Sequence, residues 1–217
     1  KNKDSHDLLD LICSQIEVFL YQENYEKALE RFLLLADVDL TYPRVLAIKS
    51  RFAANNGDFD TAKKHLSEAI KNLNTTFGNH STRSLPEIFR KMINQHSISE
   101  ACLALDEYLD AIQAWSKVYG QFDTQPLFNW RYLYALVTAA EVQQIASAVS
   151  ITTHSPGSAC LSEEHHTTAE RLLVNIHSKV PQDQIICMKA RIESAFTGIW
   201  PVHLNVDACL QGPEEAA

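Results

Sequence analysis

Two stretches of the chain, 34 residues apart, follow the same pattern. Residues 23–32 read Glu-Asn-Tyr-Glu-Lys-Ala-Leu-Glu-Arg-Phe, and residues 57–66 read Gly-Asp-Phe-Asp-Thr-Ala-Lys-Lys-His-Leu. In each stretch an aromatic residue is followed three positions later by alanine, and four positions after that by a large apolar residue. This spacing places the three side chains on one face of an α-helix, where the alanine lets a second helix approach and the aromatic fills the space beside it. A period of this length indicates helical repeats.

The repeated pattern resembles the tetratricopeptide repeat (TPR), whose unit is a 34-residue helical hairpin. The matching positions are the opening aromatic, the packing alanine and the later apolar residue: Tyr25, Ala28 and Phe32, then Phe59, Ala62 and Leu66. Ala69 also matches the family, whereas Leu35 departs from it. A third copy at residues 108–115 begins 49 residues after Phe59, and a fourth around Ala169 is weaker. A stripe of this kind also occurs on any amphipathic helix that packs on a neighbour, and that interpretation stays open.

The resemblance implies an all-α fold, an α-solenoid of antiparallel helical hairpins that forms a TPR-like superhelix. We expect a single helical domain over residues 1–200, followed by an irregular tail over 201–217. Its hairpins are predicted at about 4–40, 42–73, 84–119 and 126–179, with an extra helix over 181–197.

Local signals predict where several helices begin and end. Gly57 is expected to end a helix in the left-handed conformation. The sequence Ser-Leu-Pro-Glu at 84–87 resembles a capping box, so a helix is expected to begin there, with a separate short helix over 98–105. Pro126 is expected to open a long helix that runs to about residue 150, and residues 151–161 should form an exposed loop.

Composition excludes several classes of protein. With 46% hydrophobic residues, 6 Gly and 7 Pro, the chain is neither disordered nor a turn-rich all-β protein. Asp and Glu number 27 against 19 Lys and Arg, which argues against a duplex-DNA-binding surface. No apolar run approaches the ~18–20 residues of a membrane span. A start at Lys1 rather than Met is typical of a fragment of a longer protein.

The five scattered cysteines favour reduced, buried thiols in a cytoplasmic or nuclear protein. No glycine-rich phosphate loop, zinc-protease or nucleophile-elbow motif is present, so we predict a non-catalytic protein without cofactor or metal. Cys160, His165 and His166 are close in sequence, but adjacent histidines at a helix start are more often exposed side chains than ligands. Ser155-Pro156 matches the minimal proline-directed phosphorylation pattern, although an unmodified connector is the simpler interpretation.

In TPR proteins the first helix of each hairpin lines a concave groove. The resemblance places the following residues in that groove: Glu17, Tyr21, Arg44, Arg51, Asn55, His96 and Glu100. This mixture of charged, amide and aromatic side chains suits a partner peptide or helix, and predicts a scaffold or adaptor subunit of a larger intracellular complex. Packing of these side chains against a neighbouring helix is an equal alternative.

Other functions remain open at this point. Cys13 and Glu17 stand where chaperone-binding members carry Lys and Asn, and an acid there would repel a carboxylate, which argues against a chaperone adaptor. An RNA-associated helical-repeat protein is an alternative function, supported by Arg44, Lys49 and Arg51. An enzyme with an unfamiliar site is a third.

Overall fold

The computed structural model describes residues 3–35, 41–77, 85–117, 126–149, 161 and 163–197. Within these residues all regular secondary structure is helical, which confirms the all-α class for this part of the chain. The described helices are α1 (Lys3–Tyr21), α2 (Tyr25–Leu33), α3 (Pro43–Asn55), α4 (Phe59–Phe77), α5 (Leu85–Leu103), α6 (Tyr108–Ser116), α7 (Pro126–Val149), α8 (Glu163–Ile176) and α9 (Gln182–Thr197).

The chain divides into two compact units, residues 1–107 and 108–217. In the first unit α1 packs on α2, α3 packs on α1, α4 and α5, and α4 also packs on α5. In the second unit α7 packs on α6, α8 and α9, and α8 packs on α9. The sequence predicted one domain over 1–200, whereas the boundary between the units lies inside the predicted hairpin at 84–119. The difference arises because α5 packs on α3 and α4, while α6 packs on α7.

Three turns share one backbone geometry. Each contains a residue with positive φ: Glu23 at 51°, Gly57 at 78° and Asp106 at 58°. In each turn the amide of the following residue donates a 2.9 Å hydrogen bond to the carbonyl five residues earlier, which joins Asn24 to Phe19, Asp58 to Ala53 and Glu107 to Cys102. Such bonds satisfy the last carbonyls of a helix before the chain reverses. The predicted left-handed conformation of Gly57 is confirmed, and the first two turns recur at the 34-residue spacing of the sequence pattern.

The predicted packing alanines are at helix contacts. Ala28 and Ala62 are fully buried, and the Ser50 hydroxyl donates a 2.8 Å hydrogen bond to the carbonyl oxygen of Ala62, so α3 and α4 approach closely there. The opening aromatics do not fill the space beside the alanines, because Tyr25 and Phe59 are about half exposed. Each aromatic lies at the first position of its helix, on its outer edge.

Helix α5 differs from its prediction. It is one continuous helix of 19 residues, whereas the sequence predicted a helix from Ser84 and a separate one over 98–105. The long α7 and the separation of α8 from α9 at Pro181 are confirmed. The predicted loop at 151–161, apart from Leu161, and the predicted tail at 201–217 lie outside the described residues. None of the helices in the described ranges is both long enough and apolar enough to cross a membrane.

Candidate functional site

A cluster of polar and charged side chains is buried in the first unit, where α1, α3 and α5 meet. We call it the buried polar network, and it consists of Asp10, Glu17, Tyr42, Arg44, Asn94 and Ser97. Arg44, only 4% exposed, extends from the first turn of α3 to α1. Its Nη2 lies 2.5 Å from Oε2 of Glu17, and its Nη1 donates a 3.0 Å hydrogen bond to the carbonyl oxygen of Asp10. The guanidinium therefore fastens α3 to two turns of α1.

Glu17 is the main counterion of Arg44. Burial alone would raise the pKa of the Glu17 carboxyl, but the charge and hydrogen bonds of Arg44, the charge of His96 and the hydroxyl of Ser97 together hold that pKa below its ordinary value. The pKa of Arg44 is raised despite its burial, because Glu17 and Asp10 stabilise the guanidinium cation. The pair is therefore ionised, and each charge has a partner in the protein interior.

Asn94 connects the network to α5. Its side-chain oxygen accepts a 2.9 Å hydrogen bond from the backbone amide of Arg44, and its Nδ2 donates to the hydroxyl of Tyr42 at 3.0 Å. That hydroxyl donates in turn to Oδ1 of Asp10 at 2.9 Å. Burial raises the pKa of the Asp10 carboxyl even though Tyr42, Arg44 and Arg90 each act to lower it. The amide of Asn94 thus satisfies the first turn of α3, which has no side-chain cap of its own.

A second polar group lies at the C-terminal end of α1. The hydroxyl of Tyr21 and Nε2 of His96 are 2.7 Å apart, which joins α1 to α5. The guanidinium carbon of Arg51 lies 5.4 Å from the centre of the Tyr21 ring, in a cation–π arrangement. Asn55 follows one helical turn after Arg51 and is exposed, and Tyr21 is partly exposed. This group is therefore next to the surface of the unit.

The predicted groove residues are mostly interior. Of the seven, the five that are buried are Glu17, Arg44, Arg51, His96 and Glu100, whereas Tyr21 is partly exposed and Asn55 is exposed. Glu17 with Arg44, and Tyr21 with His96, are paired with one another across helices instead of lining an open surface. Packing against a neighbouring helix, the alternative left open by the sequence, describes these four side chains better.

Sequence reasoning missed the polar residues that complete the network. Asn94 and Ser97 are fully buried, as is most of α5 over residues 94–103. Asn94 and Ser97 are three residues apart, a spacing that places both on one face of a helix. The family resemblance selected His96 and Glu100 on this helix instead. A run of four polar residues in the middle of a helix, at 94–97, was the signal that could have found Asn94 and Ser97.

Cys13 lies beside the network and is not a reactive thiol. It is fully buried, and burial raises the pKa of its thiol to about 12 in spite of the neighbouring Arg44. Cys102 is also buried and forms no disulfide, as the sequence predicted. Cys187 differs from that prediction because it is disulfide-bonded.

We expect iodoacetamide to leave Cys13 and Cys102 unmodified in the native protein and to modify both in urea, because only unfolding exposes their thiols. Cys187 should resist modification even in urea until a reductant is added. Peptide mass spectrometry of the alkylated protein measures all three residues. Modification of Cys13 at neutral pH in the absence of urea would contradict its burial.

The second unit contains a cleft of about 480 Å³ between α6, α7 and the start of α8. Polar lining residues include Asp110, Gln113, Glu164 and His165. The described residues contain no group of three or more side chains placed to hold a metal ion. Of the metal candidates from the sequence, His166 stacks on Phe196 with ring centres 4.8 Å apart, His165 lines the cleft, and Cys160 lies outside the described residues.

Comparisons of the chain with protein families, with curated protein sequences and with solved structures found no match. The resemblance to the tetratricopeptide repeat therefore stays a prediction from the residues that carry it. Function is inferred below from the geometry of the chain itself.

Proposed function

We propose that the chain is a non-catalytic protein-interaction scaffold with a TPR-like arrangement of hairpins, and that it binds a peptide segment or helix of a protein partner. The binding surface we propose is the face formed by α1, α3 and α5 in the first unit. In this proposal the chain is an adaptor subunit of a larger complex in the cytoplasm or nucleus.

One observation carries the proposal: α3 packs against both α1 and α5, and polar side chains connect all three helices. These are the helices that precede the three equivalent turns, so each occupies the same place in its repeat. Aligned first helices are what the family resemblance implies for a groove. Extended arrays of this kind present a surface that is too large and shallow for a small-molecule substrate and is suited to a peptide.

The buried polar network supports this role by fixing the surface. Its hydrogen bonds and ion pairs join α1 to α3 and α3 to α5, so the spacing of the three helices is set before a partner binds. A preorganised surface loses less conformational entropy on binding than a mobile one. Of the predicted groove residues, Asn55 is exposed, Tyr21 is partly exposed, and 8% of Arg51 is exposed.

The RNA alternative has less support from the geometry. Arg44, one of its three basic residues, is neutralised by Glu17 and Asp10 in the interior. A buried, paired guanidinium has no free charge to release counterions from a phosphate backbone. We therefore do not advance this alternative as a function.

Affinity purification with quantitative mass spectrometry tests the proposal. We expect the Arg51→Glu, Tyr21→Ala variant to lose a specific protein partner that the wild-type chain recovers, because both changes lie on the proposed surface. The matched control is Lys64→Glu with Tyr25→Ala, which makes the same chemical changes at exposed sites on α4 and α2. The control should recover the partner, and far-UV circular dichroism should stay helical for both variants.

Two results would contradict the proposal. Unchanged partner recovery by the Arg51→Glu, Tyr21→Ala variant would place the interface elsewhere. RNA binding whose affinity falls steeply with salt would favour the nucleic-acid alternative. A slope of log affinity against log salt concentration of about −3 or steeper would be enough, since strong phosphate binders reach about −10.

A further inference from the structure

Arg51 is a buried cation without a counterion in the described part of the chain. Only 8% of the residue is exposed, and its Nη1 is buried with no hydrogen-bond partner. The contact that holds its guanidinium is the ring of Tyr21, at 5.4 Å. Buried charges in proteins are normally paired, because an uncompensated charge away from water is costly. The burial of Arg51 without a counterion is therefore not explained by its packing within the described helices.

The other buried arginines of the described residues are paired within the chain. Arg44, seven residues earlier on the same helix, bonds to Glu17 and Asp10. Arg191 in the second unit holds Glu141 through two hydrogen bonds, of 2.9 Å and 2.7 Å. The described helices thus provide carboxylates for these two guanidinium groups and none for Arg51.

The surroundings of Arg51 are those of a binding position. Tyr21 holds one face of the guanidinium, and the 2.7 Å contact of its hydroxyl with His96 fixes the ring. A guanidinium is planar, and its N–H groups match the two oxygens of a carboxylate. Asn55, one turn further along α3 and exposed, carries a side-chain amide that can donate a hydrogen bond as well.

We propose that Arg51 binds a carboxylate supplied by an Asp or Glu side chain of the protein partner, with Tyr21 and Asn55 beside it; this inference rests on the proposed function. The partner segment is therefore acidic at the point where it crosses α3. The binding position is an ion pair completed across the interface, with the partner providing the counterion that the described residues do not supply.

Charge favours a single carboxylate over a phosphate group. One guanidinium balances one negative charge, whereas a phosphate dianion would leave a surplus negative charge at a position that is largely shielded from water. The chain as a whole carries a formal charge of −8, which further disfavours a strongly anionic partner. A protein segment with an isolated acidic residue meets both conditions.

Selection of a displayed random dodecapeptide library for binding to the full chain tests this inference. We expect the wild-type chain to enrich peptides that share one acidic position, and changing that position to the corresponding amide in a synthetic peptide to weaken binding at least tenfold. With the Arg51→Gln variant the same peptide change should matter less than twofold, because the charge it pairs with is gone. The Lys64→Gln variant, which removes an exposed lysine on α4, should behave as wild type.

Each other outcome has a definite meaning. If no peptide is enriched, the proposed function itself is contradicted; if enriched peptides share no acidic position, or Arg51→Gln leaves their affinity unchanged, only the role of Arg51 is overturned. A peptide with phosphoserine at the shared position that binds more tightly than the glutamate peptide would assign the position to phosphate instead. The amide change in the peptide is measured on the wild-type chain, so the test does not depend on the folding of a variant.

Discussion

Replacing Arg44 with methionine should destabilise the protein by about 3–5 kcal/mol, the cost typical of removing one partner from a buried ion pair. The substitution leaves the carboxylate of Glu17 in the interior without its main counterion, and leaves Asp10 with Arg90 as its remaining cation. It also removes the hydrogen bonds from the guanidinium to Ser14 and to the carbonyl oxygen of Asp10, which join α3 to α1. Urea unfolding followed by far-UV circular dichroism measures the loss.

Two companion variants separate the ion pair from a general effect of losing an arginine. Arg31→Met removes an exposed arginine on α2 and should change the free energy of unfolding by less than about 0.5 kcal/mol. In the double variant Glu17→Met, Arg44→Met, apolar side chains replace the pair, and most of the lost stability should return. If the double variant is as unstable as the sum of the single changes, Glu17 and Arg44 are not coupled.

The helix boundaries that were predicted correctly depend on local chemistry. Gly57 adopts positive φ easily, and Pro126 begins α7 with a backbone angle suited to the first turn of a helix. Asn24 and Asp58 accept hydrogen bonds from the amides three residues later, at 3.3 Å and 3.1 Å. These signals act within a few residues, so a sequence pattern is sufficient to find them.

The continuity of α5 was missed because buried polar residues at 94–97 interrupt its apolar pattern. Asn94 and Ser97 are buried against polar groups of α1 and α3, not against an apolar core. Hydrophobic periodicity finds a helix whose buried face is apolar, and it fails when the buried face is polar and its partners are far away in sequence. Asn94 bonds to a residue 50 positions earlier, which no local pattern indicates.

The family resemblance placed Glu17, Arg44 and His96 in one groove. In the structure these side chains belong to α1, α3 and α5, with α3 packed on both α1 and α5, and all three are buried. Their pairing depends on the helix spacing in three dimensions, so the sequence could name these residues without predicting their burial. Arg51 is the exception, because it is buried and unpaired among the described residues.

In the second unit we expect Trp115→Ala to cost about 3–5 kcal/mol, the range found when a buried tryptophan is truncated. Trp115 is 1% exposed, and its ring lies 6.3 Å from that of Tyr132 on α7. Helix α6 has only nine residues, too few to be stable without tertiary packing. The other side chains it buries are Ile112 and two alanines, so Trp115 provides most of its apolar contact with α7.

Hydrogen exchange measured by mass spectrometry locates this loss. Amides of α6 should lose protection in Trp115→Ala, because a nine-residue helix without its main anchor opens more often. Leu109→Ala is the matched control: it truncates a side chain on the same helix that is half exposed, and should cost less than about 1 kcal/mol. Equal losses of stability for the two variants would contradict the role of Trp115 as the main contact of α6 with α7. Helix propensity cannot account for a loss, since alanine is the best helix former and propensity alone predicts that both substitutions stabilise α6.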